Sequence, residues 1–202
     1  MPSSPDQVSV RHAQRDDHKK LGAGLARAFE TDPLWRWLAP SDNWPDAATK
    51  WFGTYLKFQI AHSATVLSDE QSRGVAVWLP PGQWKGTLGE ATTLLAPSLR
   101  LFTKRTIVAL KFLAEVERRH PTHQDHWYLG LLGTDPAHQG SGVGAALITE
   151  VTSRCDIEGI PAFLESSNED NLGYYARFGF VVIDEIQKGD SPTLWQMWRD
   201  PR

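Results

Sequence analysis

Residues Gln139 to Gly144 read Gln-Gly-Ser-Gly-Val-Gly. A turn this rich in glycine can bring bare backbone N–H groups against a phosphate. A side chain would hold the phosphate away, and some of these amides converge only at positive φ. No acid stands in the next helical turn; the first is Glu150, about two turns on. Glycines at a strand-to-helix turn can also be there for steric reasons alone. A Walker loop needs Gly-Lys-Ser/Thr after its glycines, and Val143-Gly144-Ala145 is not that. The dinucleotide fingerprint Gly-x-Gly-x-x-Gly/Ala fits Gly140, Gly142 and Ala145, with Glu165 about twenty residues later.

A third pattern, Gln/Arg-x-x-Gly-x-Gly/Ala, is met by Gln139, Gly142 and Gly144. Downstream, Asn168-Glu-Asp-Asn171-Leu-Gly-Tyr-Tyr175-Ala-Arg-Phe-Gly179-Phe180 follows Asn-x-x-(Ala/Asn)-x-x-(apolar)-Tyr-x-x-x-Gly-Phe at every position. Together these stretches resemble the two signatures of the GNAT acyltransferases. A dinucleotide domain has no use for the second block. It would also need more parallel βα units than the chain holds after Glu165. Ile160 to Asn168, Ala28-Phe29, Asp32-Pro33, Val75 to Pro81 and His126 to Leu129 look like landmarks of one subgroup, that of puromycin N-acetyltransferase and its relatives. The resemblance spans nearly the whole chain and is most specific over residues 126–180.

The resemblance implies acetyl-coenzyme A as cosubstrate and the amine of a small molecule as acceptor, acetylated by direct attack without a covalent enzyme intermediate. It places Gln139, Gly140, Ser141, Gly142, Val143 and Gly144 at the pyrophosphate. It places the backbone of Leu132, Gly133 and Thr134, with Asn168 and Asn171, along the pantetheine arm. Asn168 could equally cap a helix. Tyr175 aligns with a general acid; a phenol is protonated at neutral pH and suits a departing thiolate. Its plain alternative is a core tyrosine, and the adjacent Tyr174 is expected to pack.

The base is less defined. Tyr128 stands where some relatives place a glutamate. His126 shares a strand face with Tyr128 and titrates near neutrality, so it is the first candidate; Glu165 is the second. Glu30 and Asp32 are candidates for holding a substrate amine. His120, His123 and His126 are spaced for a metal only if helical, and Pro121 argues against that, so no metal site is expected. A non-catalytic acyl-coenzyme A-binding module and a dinucleotide-binding protein are the alternative functions.

Bulk properties set wider bounds. The chain has 202 residues, 41% hydrophobic, and is read as one domain over 1–202. With 21 Lys plus Arg against 24 Asp plus Glu the net charge is −3, which argues against a nucleic-acid partner. No apolar run approaches the roughly 18 residues of a membrane span. Met1 to Asp6 carry no signal-peptide pattern, and the lone Cys155 excludes an internal disulfide, so a cytoplasmic protein is expected. Cys155 reads as a buried hydrophobe. Of nine tryptophans, Trp35, Trp37, Trp44, Trp51 and Trp84 lie where a substrate cleft could form.

The elements that must position these residues follow from periodicity. Strands are expected at Val8–His12, Ala64–Ser68, Gly74–Leu79, His126–Thr134, Pro161–Glu165, Phe180–Glu185 and Thr193–Trp198. Helices are expected from Asp16 or Asp17 to Phe29, over Leu34–Leu38, over Pro45–His62 after Pro40-Ser41-Asp42, over 86–119 with a break at Pro97, and over Val143–Glu158. Val143, Leu147, Val151 and Cys155 share one face of the last. Lys188 to Pro192 supplies a hairpin turn. This order predicts an α/β fold with a mixed, mostly antiparallel sheet and one parallel step around the glycine turn. In GNAT folds the fourth and fifth strands splay apart at that step.

Overall fold

The computed structural model describes residues 8–39, 43–62 and 64–202. Met1–Asp6 and Pro40-Ser41-Asp42 lie outside the described residues. The strands are β1 Val10–His12, β2 Thr65–Asp69, β3 Gly74–Leu79, β4 Trp127–Thr134, β5 Ala162–Ser166, β6 Val181–Ile186 and β7 Leu194–Arg199. The α-helices are α1 His18–Ala28, α2 Pro33–Leu38, α3 Trp44–Ala61, α4 Leu88–Phe102, α5 Thr106–Arg119, α6 Val143–Glu158 and α7 Leu172–Ala176.

The strands form one sheet in the order β1-β2-β3-β4-β5-β7-β6. Among the described residues only β4 and β5 pair in parallel; every other pair is antiparallel. This topology corrects the dinucleotide-binding alternative. That fold needs successive parallel βα units on one sheet, and a single parallel pair cannot supply them.

Of three buried clusters among the described residues, the two larger flank the sheet. α1 and α3 cover Val66, Val75, Val77 and Leu131. α6 covers Ala76, Trp78, Leu129 and Leu164 with the expected face, Val143, Leu147, Val151 and Cys155, all buried. Burial pushes the Cys155 thiol up to about 12, so it is an inert packing group. α1 and α3 cross backbone to backbone: a Cβ on Gly22 would lie 2.7 Å from the Gly53 amide nitrogen.

One helical expectation is corrected. α4 runs through Pro97. The break comes instead at Thr103, at φ +47, followed by a 3-10 turn over Thr103–Arg105. Pro97 removes the partner of the Thr93 carbonyl, but Thr93 is exposed and water can take that place.

Two irregularities shape the site. Val77 pairs with Leu131 but Trp78 with Leu129, so Gly130 is an extra residue in β4, a β-bulge. Leu129 consequently faces the α6 core while Leu131 faces the α1–α3 core. The second is where pairing stops. The last parallel pair is Leu129 with Leu164, yet β4 continues to Thr134 and β5 to Ser166. Beyond that pair the two strands part.

Candidate active site

Asp135 organises the chain after β4. Its Oδ1 accepts from the Ala137 amide at 3.2 Å, and its carboxylate pairs with Arg27 of α1. The exposed stretch Gln139–Gly142 follows, with Gly140 at φ +78 and Gly142 at φ +83. Gly142 is the N-cap of α6, and no side chain bonds the first amides of that helix. The N–H groups of Val143, Gly144 and Ala145 have no partner within the helix itself, and the helix dipole makes the spot favourable to an anion. Val143 buries its side chain and offers only backbone here. The Ser141 hydroxyl donates to the His138 carbonyl at 2.6 Å. Gly144 has a further reason to be glycine: a Cβ there would lie 2.7 Å from the Tyr174 hydroxyl.

Leu132, Gly133 and Thr134 pair with Ala76, Val75 and Gly74 of β3 on one edge and face the opening on the other. Gly133 also makes room for α1, since a Cβ would meet Leu25 Cδ2 at 2.6 Å. A cavity of about 370 Å³ lies near the loop, lined by Lys20, Arg27, Arg73, Asp135 and His138 among others. Its cations are already engaged: Lys20 donates to the Gln71 carbonyl at 2.6 Å, Arg73 pairs with Asp69 at 2.7 Å, and Arg27 pairs with Asp135.

On the far side of the opening, Asn168 caps the 3-10 turn before α7, its Oδ1 accepting from the Asp170 amide at 3.0 Å. Asn171 is exposed at the start of α7. Tyr175 is buried under α7 against Tyr174 and Phe180, and burial pushes its phenol above the ordinary value. Asp32 also acts on it electrostatically. Tyr174 packs over Gly144, as expected of it.

Glu165 stands one residue past the last β4–β5 pair. Its side chain is 7% exposed and its Oε1 has no hydrogen-bond partner. Burial pushes its carboxyl up to about 7, opposed by Tyr128 and Gln196 beside it. Tyr128 is itself held well above its usual value by burial and by Glu165. A carboxyl poised near neutrality at a gap in a sheet is a group suited to taking a proton.

His126, the other candidate base, packs beside Phe163 and Trp198. It precedes β4, and both ring nitrogens are engaged: Nδ1 lies 2.9 Å from the Gln124 carbonyl and Nε2 lies 3.0 Å from Nε2 of His120. Burial lowers its basicity. Glu30 is exposed. Asp32 is a helix cap: Oδ1 accepts from the Leu34 and Trp35 amides at 3.0 and 3.1 Å, and the Ser167 hydroxyl donates to the carboxylate at 2.8 Å. Asp32 therefore ties α2 to the end of β5 with most of its acceptor capacity used.

Of the tryptophans, Trp44 is core, its Nε1 donating to the Ala26 carbonyl at 2.8 Å. Trp35, Trp37 and Trp51 pack against the same core. Trp84 stacks on His120 with centroids 3.8 Å apart. Among the described residues no group of three or more His, Cys, Asp or Glu could hold a metal ion. His120, Ser167 and Tyr55 were not singled out from the sequence as site residues. Burial pushes the Tyr55 phenol up, and its hydroxyl lies 3.7 Å from where a Gly130 Cβ would be. His120 was visible only as one of three evenly spaced histidines; the reversal after Pro121 that brings it to His126 leaves no periodic trace.

Residues 101–180 match the model of the acetyltransferase (GNAT) family. The matched stretch holds the glycine loop and both strands of the opening between β4 and β5. It is 28% identical over 192 residues to an uncharacterized N-acetyltransferase of Schizosaccharomyces pombe, covering 89% of this chain and 76% of that one. Its fold is similar to a solved histone acetyltransferase HPA2 and related acetyltransferase from Corynebacterium glutamicum, with TM-score 0.72, 22% identity and coverage of 96% and 97%. It is also similar to arylalkylamine N-acetyltransferase 2 from Aedes aegypti, with TM-score 0.60, 10% identity and coverage of 98% and 100%. Among the described residues no helix is long and apolar enough to cross a membrane.

Proposed function

We propose that this protein transfers the acetyl group of acetyl-coenzyme A to the primary amine of a small molecule, with Glu165 as general base and Tyr175 as general acid. The observation that carries the reading is the buried Glu165 carboxyl, without a partner on Oε1, at the point where β4 and β5 part. The α6 N-terminus with Gly140, Ser141 and Gly142 suits the pyrophosphate. The open edge of Leu132–Thr134 suits the amide groups of the pantetheine arm. In this reading Glu165 takes a proton from the amine, whose nitrogen forms a bond to the acetyl carbon as the C–S bond breaks. Tyr175 gives its proton to the departing sulfur. No side-chain nucleophile is needed, and the buried, weakly acidic Cys155 is unsuited to be one.

The stretches that resemble landmarks of the puromycin N-acetyltransferase subgroup support an acceptor that is a small amine, and so does the name of the Aedes aegypti protein of similar fold. One sheet through all seven strands supports a single domain, and a lone buried thiol is compatible with a cytoplasmic setting. The test is thiol release from acetyl-coenzyme A with 2-phenylethylamine, tryptamine, spermidine and puromycin as acceptors. Release above the amine-free rate supports the reading. Tight acetyl-coenzyme A binding with no release for any amine would support the non-catalytic binding module instead.

The acid role has its own test. Tyr175→Phe removes only a hydroxyl from a packed ring, and is expected to lower kcat by about 10- to 1,000-fold. The KM for acetyl-coenzyme A should stay near wild type. A kcat within twofold of wild type would leave Tyr175 a packing residue.

A further inference from the structure

We propose that the corner between α4 and α5 docks on a membrane surface that carries anionic phospholipids. Its exposed aliphatic side chains enter the headgroup layer, and its lysines and arginine hold the lipid phosphates. The inference uses residues outside the candidate active site and does not rest on the acetyl-transfer reading.

Each of the two helices fills its inward face with other residues. α4 buries Leu94, Leu101 and Phe102, and α5 buries Ala109 and Phe112. A helix packed on a core ordinarily turns polar residues outward. These two do not. Leu95 and Leu99 on α4 are 60% and 53% exposed, and Ile107 and Leu110 on α5 are 62% and 58% exposed. Leu95 and Leu99 stand one turn apart, as do Ile107 and Leu110, so each pair makes an outward stripe. Leu99 and Ile107 flank the turn over Thr103–Arg105. Large aliphatic side chains gathered in water mark a surface that something covers.

The charge pattern says what covers it. From Ala91 to Ala114 the chain holds no Asp or Glu, yet Arg100, Lys104, Arg105 and Lys111 lie in that run. The whole chain has net charge −3, so this stretch reverses the overall sign. Arg100 follows Leu99 directly, Lys104 precedes Ile107 by one turn, and Lys111 follows Ile107 by one turn. Arg100, Lys104 and Lys111 are exposed, and among the described residues none has an ion-pair partner. Lys188 adds a cation beside α5, its Nζ donating to the Lys111 carbonyl at 3.3 Å. Arg105 is held by the fold instead, 4.6 Å over the Trp37 ring and 4.0 Å from Asp190, the acid at this corner. Glu115 and Glu117 come later on α5, and Glu115 is paired with Arg118.

Three occupants compete for such a face. A second copy would set the same cations against themselves across a two-fold axis. A protein partner ordinarily meets aromatic side chains at the centre of an interface, and the exposed large apolar residues here are all aliphatic. An anionic bilayer answers both features together. Aliphatic side chains enter between headgroups, while lysine and arginine stems lie along the apolar boundary with their charges at the phosphates. The face lies on the bilayer, and no helix crosses it.

The test is co-sedimentation of the full chain with two kinds of vesicle, phosphatidylcholine alone and phosphatidylcholine with about one-third phosphatidylserine. The protein should bind the second and not the first, and high salt should release it. Arg100→Gln, Lys104→Gln and Lys111→Gln combined should weaken binding by about 100-fold, at roughly fivefold per cation. Leu99→Ser with Ile107→Ser should weaken it by about tenfold or more. All five positions are exposed, so the melting temperature and the affinity for acetyl-coenzyme A should match wild type in both variants. A wild-type protein that ignores phosphatidylserine overturns the proposal. So does binding that the serine variant keeps in full, since the apolar face is then not inserted. A concentration-dependent dimer that the serine variant loses, with no vesicle binding by wild type, would give the face to a second copy instead. None of these results bears on acetyl transfer, which the amine panel tests separately.

Discussion

Glu165→Gln is expected to lower kcat/KM by about 100- to 10,000-fold, the range for loss of a positioned general base. The amide keeps the shape of the carboxyl and cannot accept the amine proton. The pH profile gives the sharper readout. Only the carboxylate accepts a proton, and burial holds this carboxyl at about 7. The wild-type rate should therefore rise with pH through about 7, and this limb should vanish in the variant. A limb that persists would move the titration to another group or to the acceptor amine.

The same group makes a linked prediction for stability. A carboxyl raised from 4.5 to about 7 in the folded protein binds a proton there that the unfolded chain has released. Folding is then favoured at low pH, and the contribution is lost as pH rises through about 7. Above that pH the ionised group costs a few kcal/mol relative to a neutral one. Glu165→Gln should accordingly melt at a higher temperature than wild type at pH 8, with the difference shrinking toward pH 5. An inactive variant that is also less stable at pH 8 would mean a damaged fold rather than a missing base.

Ser141→Asp is expected to weaken acetyl-coenzyme A binding by about 100-fold. A carboxylate within about 5 Å of a pyrophosphate costs a few kcal/mol at an effective dielectric near 20, and about 1.4 kcal/mol is tenfold in affinity. Ser141 is exposed, so the change strains nothing. Gly142 and Gly144 are poorer choices: one sits at φ +83, and the other has no room for a Cβ beside the Tyr174 hydroxyl. Ser141→Ala should bind nearly as well as wild type. Calorimetry at two ionic strengths decides it, because the charge penalty should fall as salt screens it. Equal affinity in Ser141→Asp would remove the loop from the binding site.

Much of this architecture is legible in the chain because local rules act on short stretches. Apolar or alternating runs bounded by turn residues mark each strand to within about two residues. The apolar face of α6 is written in Val143, Leu147, Val151 and Cys155, and the β6–β7 turn in its glycine and proline. What is not legible depends on residues far apart in sequence. Pro97 was a strong local stop signal, and the exposure of Thr93 overrode it. His126 stands at the start of a strand pattern, and nothing near it says that a histidine six positions earlier faces it. Glu165 looked like the end of a buried strand. Nothing local says that its neighbour strand has left it there without a partner for Oε1.

The parting of β4 and β5 also ties the lifetime of the protein to its surroundings. A sheet interrupted from within carries backbone groups that no strand satisfies, so the empty protein is the weaker one. On the proposed reading, acetyl-coenzyme A bound there adds stability by mass action, about 2.7 kcal/mol at a hundred times its dissociation constant. Proteases act on opened molecules, whose population falls as that stability grows. On that reading the protein would persist longer where acetyl-coenzyme A is abundant than where it is scarce.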